Sequence, residues 1–161
     1  MSTNQLGFIL VALLVSSPAL AQGKAAPPDV QVKVTCVQAS GVRTGAQPEQ
    51  VDGSLKKLER VLARTHFDRF AAGGERNLKL RWDEETNVRC GDGRMALKVS
   101  RVASKSNRLQ IEALIYKHEK ETTACMDASV KCSPRQPLKL SCDEPKATAA
   151  ELFFVSAQPL P

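Results

Sequence analysis

Aromatic side chains are scarce. Five Phe, one Trp and one Tyr make up 4% of the 161 residues. Proteins that bind single-stranded nucleic acid stack bases on exposed rings, and here the rings are needed for a core. That argues against nucleic acid as a partner. Histidine is scarcer still, with only His66 and His118. No Cys-x-x-Cys occurs, which excludes a thioredoxin-like redox centre and a zinc ribbon. The phosphate-binding loop, Gly-x-Gly-x-x-Gly, His-Glu-x-x-His and Gly-x-Ser-x-Gly are all missing. The common nucleotide-dependent, zincin and serine-hydrolase chemistries therefore have no sequence support.

Long apolar runs are also missing, with one exception at the start. Residues 6–20 are uncharged and mostly apolar, and Ala19-Leu20-Ala21 ends the run in a small-x-small pattern. The run is short for a membrane span. It reads as a secretory signal peptide, residues 1–21, cut before Gln22. Residues 22–29 form an Ala/Pro linker, residues 30–157 a single β-rich domain, and residues 158–161 a tail expected to fray. No second run approaches the ~18 residues of a spanning helix, so the processed chain is expected to have no membrane span and to be periplasmic or extracellular.

The five cysteines, Cys36, Cys90, Cys125, Cys132 and Cys142, all follow the apolar run. In an oxidising compartment they are disulfide candidates. An odd number leaves one thiol unpaired or pairing between chains. The spacing does not choose among the possible pairings. His118, Cys125, Cys132 and Cys142 could in principle ligate zinc, but their spacing fits no known finger, and no metal or other cofactor is expected.

Period-two alternation dominates the rest. Val30, Val32, Val34 and Cys36 share one face of a strand. Asp52 is placed to cap a helix over residues 53–65, with Leu55, Leu58, Val61 and Leu62 on its apolar side. Phe67 and Phe70 leave the helix toward the core, and Gly73-Gly74 reads as a turn. Leu78, Leu80 and Trp82 alternate, then Val88 and Cys90. Asp92-Gly93 is a two-residue hairpin signal that sets Cys90 opposite Met95 and Val88 opposite Leu97. A second hairpin sets Val99 against Ile111 and Lys98 against Glu112 across a loop at residues 104–106. Met126 to Cys132 and Leu138 to Cys142 alternate again, and residues 151–157 read as a strand with the continuous apolar run Leu152-Phe153-Phe154-Val155. The expected fold is α+β: a predominantly antiparallel β-sheet of about eight strands with one amphipathic helix, stapled by disulfides.

This layout resembles an uncharacterised family of small exported bacterial proteins that are rich in β-structure. The residues that carry the likeness are Val32-Lys33-Val34 with Ala39-Ser40, Asp52 with Leu55, Leu58 and Leu62, Phe67 and Phe70, Gly91-Asp92-Gly93-Arg94, and the apolar segment 152–157. The resemblance spans about residues 30–157 and implies the fold and export, with no activity attached.

The net charge is +6. Arg89, Arg94, Lys98, Arg101, Lys105 and Arg108 fall within one stretch that holds a single acid, Asp92. Such a basic stripe could attract an anionic glycan, a lipid head group or an acidic protein surface. It could equally be a charged face that blunts a sheet edge and keeps the chain soluble. Two functional classes follow. The favoured one is an exported, non-enzymatic binding or scaffolding module. The alternative is a thiol- or His-dependent hydrolase of the cell envelope, with His66 or His118 as base, Asp68 as orienting acid and a cysteine as nucleophile.

Overall fold

The computed structural model describes residues 28–102, 107–144 and 146–161. The signal segment, most of the linker, and the 104–106 loop with Lys105 lie outside the described residues. Among the described residues nine strands are present: β1 Val30–Val42, β2 Gln50–Val51, β3 Phe67–Leu80, β4 Glu85–Cys90, β5 Gly93–Arg101, β6 Leu109–Tyr116, β7 Met126–Cys132, β8 Leu138–Ser141 and β9 Ala149–Pro159. They form a five-stranded sheet in the order β2-β3-β1-β9-β8 and a four-stranded sheet in the order β4-β5-β6-β7. All pairings are antiparallel except the two-residue β2–β3 contact.

The alternation seen in the sequence explains how the sheets meet. Val30, Val32, Val34 and Cys36 of β1, Phe153, Val155 and Ala157 of β9, and Leu80 of β3 point toward the second sheet. Val88, Cys90, Met95, Leu97, Val99, Leu109, Ile111, Ala113 and Ile115 answer from the other side. Apolar faces that alternate with polar ones bury themselves best by stacking, and this main core is the result. β9 pairs with β1 through Pro159, and the Leu160 N–H donates to the Asp29 carbonyl.

A second core lies on the opposite face of the same five-stranded sheet. Val37, Ala39, Leu152, Phe154, Phe67 and Phe70 pack there against Leu55 and Leu62 of the helical segment. This explains the continuous apolar run in β9. Leu152 and Phe154 face the helical side while Phe153 and Val155 face the second sheet, so both faces of the strand are covered.

The helical segment is shorter than its apolar spacing suggests. Residues Gly53–Leu58 form a 3-10 helix, and α1 covers only Glu59–Leu62. Asp52 caps it as expected, its carboxylate accepting the Ser54 N–H at 2.9 Å. Only Leu55 and Leu62 are buried, and the eclipsed stacking of a 3-10 turn accounts for that reduced apolar face.

Three local expectations are corrected. Gly73-Gly74 is not a turn: β3 continues through it, with one residue bulged out. Cys36 pairs with Gly74 and Val37 with Ala72, which leaves Gly73 unopposed. A Cβ on Gly73 would lie 3.2 Å from the Cys36 Cβ, so glycine is needed for this close approach. The bulge also exchanges faces. Phe70 faces the helical side before it, while Leu78 and Leu80 face the main core after it. Trp82 falls beyond the end of β3. It packs against the main core from the turn that follows, where its backbone N–H donates to Asp29.

The third correction concerns the first hairpin. Its two turn residues are Gly91 and Asp92, so Cys90 pairs with Gly93 and Val88 with Met95. The positive φ falls on Gly91 (56°) alone, as in a type II′ turn. The shift of two residues leaves every side chain on its expected face, because the side-chain period is two. The second hairpin keeps the expected register, Val99 to Ile111 and Lys98 to Glu112.

Two disulfides join the sheets. Cys36–Cys90 ties β1 to the end of β4 through the main core, with Cα atoms 5.5 Å apart. Cys125–Cys142 ties the residue before β7 to the residue after β8, with Cα atoms 5.7 Å apart. Cys132 remains as a buried thiol.

Candidate functional site

The five-stranded sheet uses different faces at its two ends. Where β1 runs from Val30 to Cys36, its inner face meets the second sheet. Where it runs on through Val37 and Ala39, the outer face is covered by the helical segment. The inner face of that far end extends past the second sheet. Gln38 and Ser40 of β1, Ala71 of β3, and Ala149 and Glu151 of β9 lie on it as cross-strand neighbours. They form the floor of an open cleft of about 660 Å³. The walls are Asp92 and Gly93 at the first hairpin, Tyr116 at the end of β6 with Lys117 and His118 after it, and Cys142, Asp143, Glu144 and Ala147.

Glu151 holds one wall in place. Its carboxylate accepts the Asp92 N–H at 3.1 Å and the Gly93 N–H at 2.7 Å. A Cβ on Gly91 would stand 1.9 Å from Glu151 Oε1, and one on Gly93 would stand 2.5 Å from Oε2. Both glycines are therefore required for the carboxylate to reach the backbone. The Gly-Asp-Gly sequence is a turn that doubles as a receptor for a side chain from the other sheet.

The opposite wall is held by polar contacts. The Lys117 ammonium pairs with Glu144 at 3.1 Å, and the Lys117 N–H donates to Glu121 at 3.0 Å. Asp143 accepts from the Ser141 hydroxyl and lies 3.7 Å from the Lys139 ammonium. Burial pushes the Asp143 carboxyl up, but the Ser141 hydrogen bond and the Lys139 charge more than offset it and hold it below the ordinary 3.8. His66 Nε2 lies 3.0 Å from the Ala147 carbonyl and anchors the segment from behind. Four carboxylates (Asp92, Asp143, Glu144 and Glu151) and one lysine thus line the cleft. Its local charge is opposite in sign to that of the whole chain.

Three of the basic residues, Arg89, Arg94 and Lys98, share the outward face of the four-stranded sheet, where each meets an acidic or aromatic neighbour. Arg89 and Arg94 are cross-strand partners on the outward face of the four-stranded sheet. Arg89 pairs with Glu119. The Arg94 guanidinium sits 3.7 Å above the Tyr116 ring and donates to the Asn87 side chain and the Glu121 carbonyl. Lys98 has Glu85 opposite it on β4 and Glu112 opposite it on β6, and it is ion-paired with the latter. The hydrogen bond and charge of Lys98 hold Glu112 below its ordinary 4.5, and Glu112 in turn raises Lys98. Arg101 lies over the Trp82 ring at 4.7 Å, and Arg108 is exposed before β6. Acidic residues from neighbouring strands interleave with the stripe.

The cysteine and histidine residues are separated by role. Cys142 and His118 both line the cleft, but the Cys142 sulfur is bonded to Cys125 and has no thiolate to offer. The thiol of Cys132 is pushed up by burial. Among the described residues, no group of three or more His, Cys, Asp and Glu side chains is arranged to hold a metal ion. Among the same residues, no helix is long and apolar enough to cross a membrane.

The cleft was not legible in the sequence. Its floor consists of small and polar residues that carry no motif, and it exists only because two cores sit on opposite faces of one sheet. Comparisons with known proteins add no name to this geometry: no family model, no curated protein and no solved structure matches the chain.

Proposed function

We propose that this chain is an exported, non-enzymatic binding module that takes its ligand in the cleft at the open end of the two-sheet stack. One observation carries the reading. The floor is a stretch of sheet face that neither the second sheet nor the helical segment covers, and the walls around it are fixed by specific bonds. A disulfide between the sheets and another beside the cleft suit a protein that works in an oxidising compartment. Prearranged walls favour binding, because little order has to be imposed when a ligand arrives. The carboxylates of the rim favour a neutral or cationic ligand over an anionic one.

Ligand binding to the folded state raises its melting temperature. At a ligand concentration one hundred times Kd the gain is about 2.7 kcal/mol, or on the order of 10 °C for a chain of this size. The test is a thermal-shift screen of the processed chain against cell-envelope glycans, head-group analogues and short peptides. Ala149 is exposed on the floor, so Ala149→Trp should fill the cleft without unfolding the protein. The variant should lose the shift that the parent shows. A ligand that stabilises both equally binds elsewhere and refutes the proposal.

A further inference from the structure

The geometry points to β3 as a self-pairing edge, through which two copies of this chain join their five-stranded sheets. β2 pairs with β3 only at Arg69 and Phe70. The Asp52 N–H donates to the Phe70 carbonyl at 3.0 Å. From Gly73 to Leu80 no described strand lies on the outer edge of β3. The residues from Ala71 to Asn77 are exposed on both faces, because the strand overhangs the second sheet. An edge of this length, unpaired and free of proline, is a template for another strand. The opposite margin of the stack differs, since the Cys125–Cys142 bridge ties its two edges together.

The occupant follows from symmetry and charge. Two copies related by a two-fold axis pair antiparallel, and facing residues must share a sheet face, so the axis passes through a residue and not between two. An axis at Glu75 sets two glutamates face to face, and one at Arg76 sets two arginines face to face. Either arrangement is repulsive. An axis at Asn77 places Glu75 opposite Lys79 of the second copy, twice by symmetry, with the neutral Asn77 pair at the centre. This register uses residues 74–80, the part of β3 beyond the bulge where pairing with β1 is regular. Glu75 already bonds Lys33 on the same outer face, so Lys33, Glu75 and Lys79 of the second copy would alternate in sign across the joint. Arg76 and Leu78 would face each other on the inner side.

Edge pairing alone buries less surface than a stable interface needs, so the dimer is weak and concentration-dependent. The test is sedimentation velocity of the full chain over a concentration series into the millimolar range. Lys79→Glu sets like charges opposite each other at two places and should weaken dimerisation by about tenfold or more. The double variant Glu75→Lys with Lys79→Glu reverses both partners and should recover most of that loss. Asn77→Cys should form a covalent dimer on mild oxidation, while Lys79→Cys should not. Circular dichroism confirms that each variant is folded. A chain that stays monomeric throughout overturns the inference, as does a dimer that ignores Lys79→Glu or fails to cross-link through residue 77. If a synthetic extended peptide protects the β3 amides of a monomeric chain, the edge belongs to a foreign strand and the second copy is ruled out.

Discussion

The two disulfides should differ in what they contribute and in how readily they open. Cys36–Cys90 closes a loop with a sequence separation of 54, and Cys125–Cys142 one of 17. Restricting the unfolded chain in this way stabilises the fold by about 4 kcal/mol for the longer loop and about 3 kcal/mol for the shorter. Cys36 and Cys90 are each 3% exposed, so removing their sulfurs also costs core packing. Cys36→Ala with Cys90→Ala should therefore lower the unfolding free energy by about 4–6 kcal/mol, much of the 5–15 kcal/mol that a domain usually has. Cys125→Ala with Cys142→Ala should cost about 3 kcal/mol. Urea unfolding followed by far-ultraviolet circular dichroism measures both, and the slope should rise in each variant as the denatured chain expands. Graded reduction, alkylation and peptide mass mapping give a second readout. Cys125 is exposed, so Cys125 and Cys142 should be alkylated first, then Cys36 and Cys90, with Cys132 modified only on unfolding. Equal costs, the reverse order of opening, or Cys132 found in a bridge would refute the inter-sheet pairing.

Glu151→Ala removes both bonds to the Asp92 and Gly93 amides and should cost about 2 kcal/mol, allowing for partial exposure, and Gly93→Ala should cost about as much by displacing the same carboxylate. Hydrogen exchange at the Asp92 and Gly93 amides would report it, and unchanged protection would count against the contact. Glu112 is held below its ordinary 4.5 by Lys98, so its contribution is fully present above that pH and is lost as the pH falls through the lower folded value. In Lys98→Ala the Glu112 carboxyl should titrate closer to 4.5 by nuclear magnetic resonance, and no change would show the pair to be open in solution. Arg94→Glu with Lys98→Glu should lower retention on a polyanion column no more than two lysine-to-glutamate changes at exposed positions elsewhere, because both cations are already engaged within the protein. A large, salt-dependent loss would instead make the outward basic face a contact surface.

What could be read from the sequence was local. Period-two alternation located most of the strands and their inward faces. Asp52 marked the helical start, and the pairing of Lys98 with Glu112 followed from loop length alone. The misreadings arose where a local signal served a non-local purpose. Gly73-Gly74 looks like a turn, yet Gly73 is there so that the β3 bulge can pass close to Cys36. Asp92-Gly93 looks like a self-contained hairpin, yet Gly93 leaves room for Glu151, a residue far along the chain. The 53–65 helix has the right apolar spacing, but half of it tightens into a 3-10 helix, with only Leu55 and Leu62 buried against the sheet. The disulfide pairs depend on which strands stack across the core, and strand order is not written in any short segment. The acids that interleave with the basic residues come from neighbouring strands and a loop, so the stripe looked more basic in one dimension than it is in three.

The open face at the far end of the sheet can be tested at two adjacent residues. Ala39 is 3% exposed beneath the helical segment, while Ser40 is exposed on the cleft floor. A tryptophan at each should separate the two faces. Ala39→Trp overpacks the second core and should destabilise the protein by about 2 kcal/mol or more, whereas Ser40→Trp should change stability by less than about 0.5 kcal/mol. Urea midpoints of the two variants give the answer directly. The expected order is a large loss for Ala39→Trp and almost none for Ser40→Trp. Equal losses, or a larger one at Ser40, would mean that the inner face is covered and that no cleft exists there.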